Sequence, residues 1–147
     1  MAVKKSKKKA GTVDKNIIFT TGKRKKAVAR ARFKPGSGTI KINSIPLELI
    51  TNEVVRLKIK EPLMITGDNW QKFDIKVNVQ GGGIMGQAEA TRLAIAKGLA
   101  EIFGGDLREK FLSYDKNLLI ADTRRTEVHK PPHSSWGARR YKQRSKR

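Results

Sequence analysis

An α/β (α+β) domain spanning residues 16–122, flanked by two extended basic tails, is what this sequence predicts, and three observations carry it. Residues 26–34 and 73–80 alternate polar and apolar side chains, the period of a strand with one dry and one wet face. From about Met85 to Phe103, the residues Ile95, Leu99, Ile102 and Phe103 recur at i, i+4, i+7 and i+8, the spacing of a helix with one buried stripe. Charge is partitioned along the chain: of 33 Lys+Arg and 13 Asp+Glu, residues 1–34 hold 13 bases and one acid, residues 123–147 hold nine and one, and residues 35–122 hold 11 of each. The whole net charge of +20 therefore lies at the two ends.

Each element follows from local chemistry. Residues 4–12, KKSKKKAGT, have nothing to bury, so the extension over 1–15 is predicted to be disordered when free. Ile17 to Phe19 are β-prone. From Lys26 a strand places Lys26, Val28, Arg30, Arg32 and Lys34 on a mostly basic outer face, and Ala27, Ala29, Ala31 and Phe33 on an inner face small enough for a helix to approach. KPGSG, residues 34–38, carries turn chemistry, and Thr39 to Asn43 alternates again with Ile40 and Ile42 inward. Segments 26–34 and 39–43 are thus expected to pair as an antiparallel hairpin. A helix is predicted over 52–60 from Val54, Val55, Leu57 and Ile59, capped by Thr51 or Asn52 and ended by Pro62. The strand over 73–80 points Phe73, Ile75, Val77 and Val79 one way and Asp74, Lys76, Asn78 and Gln80 the other. GGGIMG then leads into the long helix, which Gly104 and Gly105 stop; Asp106 is expected to cap a shorter helix through Tyr114, and LLIAD, residues 118–122, to form a closing strand. Pro131, Pro132 and the lack of any apolar period predict an extended tail over 123–147.

Composition restricts function. With no Cys there is no disulfide framework, thiolate metal site or cysteine nucleophile, and the basic start is followed by no apolar run of a signal peptide or membrane span, so a soluble intracellular protein is expected. Concentrated like charge at both ends repels itself until a polyanion neutralises it. Nucleic acid fits better than a membrane surface, because neither basic run has an amphipathic apolar face. Gly81, Gly83 and Gly86 satisfy G-x-G-x-x-G with Glu101 about 20 residues on, but a dinucleotide fold needs a strand buried on both faces, and Gln87 and Ala88 replace the Lys and Ser/Thr of a phosphate loop. Gly82 and Gly83 are expected instead to serve a tight strand-to-helix corner, or to bring backbone amides to an RNA phosphate. His129 and His133 are separated by the two prolines and have no further ligand type to complete a metal site. Trp136 and Tyr141, in a tail with no core, either stack on bases or pack against a neighbour. No nucleophile, acid or base arrangement for catalysis is present, so neither an enzyme, a cofactor nor a small-molecule substrate is expected.

The run Gly81-Gly82-Gly83-Ile-Met-Gly86-Gln87-Ala-Glu-Ala90-Thr-Arg-Leu-Ala94-Ile-Ala96-Lys97-Gly98-Leu99 resembles, position by position, the signature of the family of the universal ninth protein of the small ribosomal subunit. TGKRKKAVARARFKPGSG and the terminal SKR resemble that family too, and ADTRRTEVHKPPHSS is similar to its archaeal and eukaryotic branch. The resemblance covers about residues 16–147. It implies a two-layer sandwich, a four-stranded mixed sheet with helices on one face, and a left-handed βαβ crossover as in the second domain of the ribosomal S-five family. It further implies a cytoplasmic structural constituent of the small subunit, bound to rRNA and neighbouring proteins in the head. The rRNA contacts would fall on Lys23, Arg24, Lys25, Lys26, Arg30, Arg32, Gly82, Gly83, Arg124, Arg125, Lys130, Arg139 and Arg140. The tail would bring Arg144, Lys146 and Arg147 to the peptidyl-site tRNA. A free-standing architectural nucleic-acid binder is the competing reading of the charge.

Overall fold

The computed structural model describes residues 17–126. Five strands form one mixed sheet, β1 (Ile18–Arg24), β2 (Ala27–Pro35), β3 (Ile40–Ile42), β4 (Ile45–Pro46) and β5 (Phe73–Gln80), in the order β1-β2-β5-β3-β4. The helices are α1 (Glu53–Thr66), α2 (Ile84–Phe103) and α3 (Gly105–Tyr114). Among the described residues the sheet thus has five strands rather than four, the additional one being the two-residue β4 at its edge.

Pairing differs from the sequence expectation. β2 forms its hairpin with β1, through Lys25 and Lys26, and pairs on its other side with β5; both ladders are antiparallel. The segment after KPGSG does not fold back on β2 but runs as β3 parallel to β5. A two-residue hairpin turn needs positive φ, and Lys25 supplies it at φ 54° without the glycine or asparagine that makes such turns legible. The turn residues of KPGSG serve a wider reversal, in which Asp74 Oδ1 accepts hydrogen bonds from the Ser37 and Thr39 amides, each at 3.0 Å. A second tight hairpin joins β3 to β4, with Asn43 and Ser44 at φ 47° and 73°. Asn43 also extends the β3 ladder with its side chain, donating to the Val79 carbonyl at 3.1 Å and accepting from the Val79 amide at 2.8 Å.

Alternation decides the layers. Ala27, Ala29, Ala31, Phe33, Ile40, Ile75, Val77 and Val79 are buried, and the intervening sheet residues face away from the core. α2 lies against β1 and β2 through small residues on both sides: a Cβ on Gly22 would collide with the Ala90 carbonyl, and one on Gly98 would overlap the Phe33 ring. Thr20, the other inward residue of this contact, donates its hydroxyl to the Ala94 carbonyl at 2.7 Å, so that this hydroxyl is not left unpaired beneath the helix. Ile95 and Leu99 are fully buried, whereas Ile102 and Phe103 at the end of the stripe are half-buried, Phe103 meeting Phe73 edge to face.

Asn52 caps α1, its Oδ1 accepting from the Val55 amide at 3.3 Å. Pro62 does not end this helix; it lies inside it, and α1 continues to Thr66 before Gly67 turns the chain at φ 70°. Pro62 and Leu63 are buried, so continuing the helix keeps both against the core and offsets the backbone hydrogen bond that proline removes. Val55 and Ile59 face inward, but Val54 and Leu57 are exposed. Asp106 lies in the first turn of α3 rather than capping it; Gly104 is the cap residue and makes no side-chain bond. Residues 118–122 form no strand. Residues 116–118 make a single 3₁₀ turn that buries Leu118, with Asp115 accepting from the Asn117 amide.

Candidate nucleic-acid interface

Among the described residues, no helix covers the outer face of the sheet. Register aligns its side chains in rows across the strands: Arg32 of β2 stands opposite Lys76 of β5, which stands opposite Lys41 of β3. Adjacent strands lie about 4.8 Å apart, so three cations are held side by side. Phe19 of β1 closes the same row beside Arg32, whose guanidinium carbon is 5.9 Å from the ring centroid. The next row aligns Thr21, Arg30 and Asn78. Among the described residues, none of Arg30, Arg32, Lys34, Lys41 and Lys76 forms an ion pair. The acid of this face, Asp74, is occupied by the two turn amides, and those bonds, from Thr39 first and then Ser37, hold its carboxyl below the usual carboxylate range. Like charges directly opposite across strands are destabilising unless an anion lies over them, and an exposed aromatic beside an arginine offers a base a surface to stack on.

Of the expected contacts, Arg30 and Arg32 point outward from this face as the alternation requires. Lys41, Lys76 and Phe19 join the expected arginines on this face, and their place beside Arg32 becomes legible only once β5 and β1 are recognised as neighbours of β2. Lys23, Lys25 and Lys26 lie exposed at the β1–β2 turn. The glycine corner abuts the same turn: a Cβ on Gly81 would lie 2.5 Å from the Lys26 carbonyl, and one on Gly82 3.0 Å from the Ala27 amide. Gly81 and Gly82 take φ 76° and 68°, but Gly83, the N-terminal cap of α2, has φ −103° and open space where a side chain would go. Positive φ and close approach therefore explain Gly82 and not Gly83.

Arg24 is committed differently from its neighbours. Its Nε donates to Glu89 Oε2 at 2.5 Å, and Nη1 lies 2.7 Å from Asp122 Oδ2, off the hydrogen-bonding direction. Lys58 of α1 donates to the other Glu89 oxygen at 3.0 Å. The Glu89 bond is the main reason the Arg24 guanidinium is held even more firmly protonated than usual. Burial works to raise the Glu89 pKa, but the bonds from Arg24 and Lys58 outweigh it and leave the carboxyl below its ordinary value. Asp122 is lowered by the Arg124 amide, which donates to it at 2.8 Å, and by Arg24. Arg24 thus ties the hairpin to α2 and to the segment leading into the C-terminal tail, and brings exposed Arg124 and Arg125 to the end of the sheet that bears Lys23, Lys25 and Lys26. Lys130, Trp136, Arg139, Arg140, Tyr141, Arg144, Lys146 and Arg147, together with His129, His133 and the extension over 1–15, lie outside the described residues. No helix of the described residues is long and apolar enough to cross a membrane.

The comparisons with known proteins agree with one another. Residues 22–147 match the profile of the family described as Ribosomal protein S9/S16. The chain is 48% identical over 132 residues to a small ribosomal subunit protein uS9 of Methanococcus maripaludis, a match that covers 89% of this chain and 98% of that one. A uS9 protein of Methanococcus vannielii is 45% identical over the same shares of the two chains. The uncovered cationic sheet, the glycine corner between β5 and α2, and a profile match over most of the sequence lead to one conclusion: this chain belongs to the ribosomal protein S9/S16 family, whose members are structural and not enzymes.

Proposed function

We propose that the chain is a structural constituent of the small ribosomal subunit in the cytoplasm, docked on rRNA of the head through the outer sheet face and the β1–β2 end. The single observation that carries this is the Arg32, Lys76 and Lys41 row, three cations that form no ion pair among the described residues, on the sheet face that the described helices leave uncovered. Arg30, Lys23, Lys25, Lys26, Arg124 and Arg125 extend the footprint, and guanidinium forks suit phosphate oxygens. Gly82 packs the corner backbone against Ala27 beside the same turn, and the open backbone at Gly83 is read as the part that meets an RNA phosphate. That the relatives are small ribosomal subunit proteins supports the subunit assignment. The parallel β3–β5 pair joined through α1 supports the crossover implied by resemblance, which is taken as left-handed.

The C-terminal tail is read as the part that reaches the peptidyl-site tRNA. Arg24 and Asp122 fix where it departs, and about 25 extended residues span up to about 80 Å at about 3.3 Å per residue. Lys130, Arg139 and Arg140 would follow rRNA, with Trp136 and Tyr141 stacking on bases, and Arg144, Lys146 and Arg147 would meet tRNA phosphates. Phosphate contacts read no sequence, which suits a site that accepts every tRNA. Sucrose-gradient fractionation tests the assignment: the chain should sediment with small subunits, and sedimentation with chromosomal DNA instead would favour the architectural reading. Deleting residues 145–147 should leave assembly nearly normal and speed tRNA dissociation from the peptidyl site; unchanged off-rates would refute the tail contact.

A further inference from the structure

The β3–β4 edge of the sheet, opposite β1, carries a groove of its own. Where the β3–β4 edge meets the C-terminal end of α1, an open groove of about 680 Å³ is lined by apolar Leu47, Leu63, Met64 and Trp70. Its charged residues are Glu48, Asp68 and Lys60, and among the described residues neither carboxylate is in an ion pair. The last turn of α1 contributes to the lining and carries no basic residue, so the partial negative charge of the helix end adds to the two carboxylates without a cation from its own turn to offset it. Two carboxylates against the one Lys60 leave the lining of this groove net negative, in contrast to the basic ends that carry the chain's +20. It attracts a cation, and its floor requires apolar cover.

We infer that this groove docks an extended lysine- or arginine-rich segment of a neighbouring protein, with one aliphatic side chain seated against Leu63, Met64 and Trp70 and basic residues set against Glu48 and Asp68. Met64 is 76% exposed and unbranched, so it folds over a seated side chain at little cost. The docking rests on the reading of the chain as a small-subunit component, and the experiment separates the two. Full-length chain with p-benzoylphenylalanine in place of Gln71, and a second version with it in place of Met64, is expressed in its host, and small subunits are purified and irradiated. Absence of the unsubstituted chain from small subunits would overturn the subunit reading itself. With the chain present, the expected result at either position is a cross-link to a Lys/Arg-rich stretch of another subunit protein. That cross-link should fall at least about fivefold when Glu48→Lys and Asp68→Lys are combined. A cross-link to rRNA, to this chain's own residues 127–147 or to a second copy, no cross-link at either position, or a yield indifferent to charge reversal would each overturn the docking proposal.

Discussion

Arg24 and Asp122 are 98 positions apart in sequence, yet Nη1 of one lies 2.7 Å from the carboxylate of the other, at the corner where the β1–β2 turn, the glycine corner and the start of the C-terminal tail come together. The cations at that corner are held close to one another because this pair, with Glu89, draws the tail's first residues against the hairpin.

Acid should loosen that corner. Glu89, Asp115 and Asp122 all have pKa values below ordinary ones, Asp115 because hydrogen bonds from the Asn117 amide and Arg92 outweigh the opposing effect of burial. Near those values the unfolded chain binds more protons than the folded one, so their stabilisation is complete above the unfolded values of about 3.8 to 4.5 and is lost as pH falls through the lower folded ones. Urea midpoints measured from pH 7 to pH 3 should be level and then fall below about pH 4.5. Glu89→Gln should lower the plateau and shrink the acid-dependent fall; an unchanged fall would remove Glu89 from the account.

RNA affinity should depend steeply on salt, with slope about 0.9 per phosphate neutralised on a duplex. Replacing Arg32, Lys76 and Lys41 by Gln should reduce that slope by about 2 to 3 while leaving the thermal transition cooperative. Titrations from 50 to 200 mM salt decide it, and an unaltered slope would mean the sheet face is not the contact.

The seam between α2 and the sheet tolerates no added volume. Gly22→Val forces a side chain into the Ala90 carbonyl, and overpacking of this kind costs about 1–3 kcal/mol. Urea denaturation should register at least that loss. A variant as stable as the parent would show that α2 can move off β1 freely.

The two neighbouring glycines of the corner should respond differently. Gly82→Ser must hold a side chain at φ 68° and should lose about 1–2 kcal/mol. Gly83→Ser sits at φ −103° with open space, at a helix cap where serine is favoured, and should be neutral or stabilising by a few tenths of a kcal/mol. Equal losses at both positions would contradict the assigned backbone.

The strand over 73–80, the long helix and the basic outward face of β2 are legible in the sequence because each is written as a local period: side-chain direction at Arg30, Arg32 and Lys76 follows from alternation alone. Partner choice is not local. The Lys25–Lys26 turn carries no residue that favours positive φ, while Pro35, Gly36 and Gly38 advertise a turn that does not make a hairpin, so local chemistry points β2 to the wrong neighbour. Pro62 gives the same lesson, since its helix-ending signal yields to burial against a core that exists only once α1 is docked. Arg24 is the sharpest case. In sequence it is one cation among four consecutive ones, and only the approach of α2 and of residues 115–122 turns it from a surface charge into an internal tie. Sequence by itself determined the partition of charge, the strand and helix periods and the family signature; tertiary structure alone decided strand order, the three-cation row and which arginine faces inward, because those depend on contacts between segments whose separation along the chain carries no local signal.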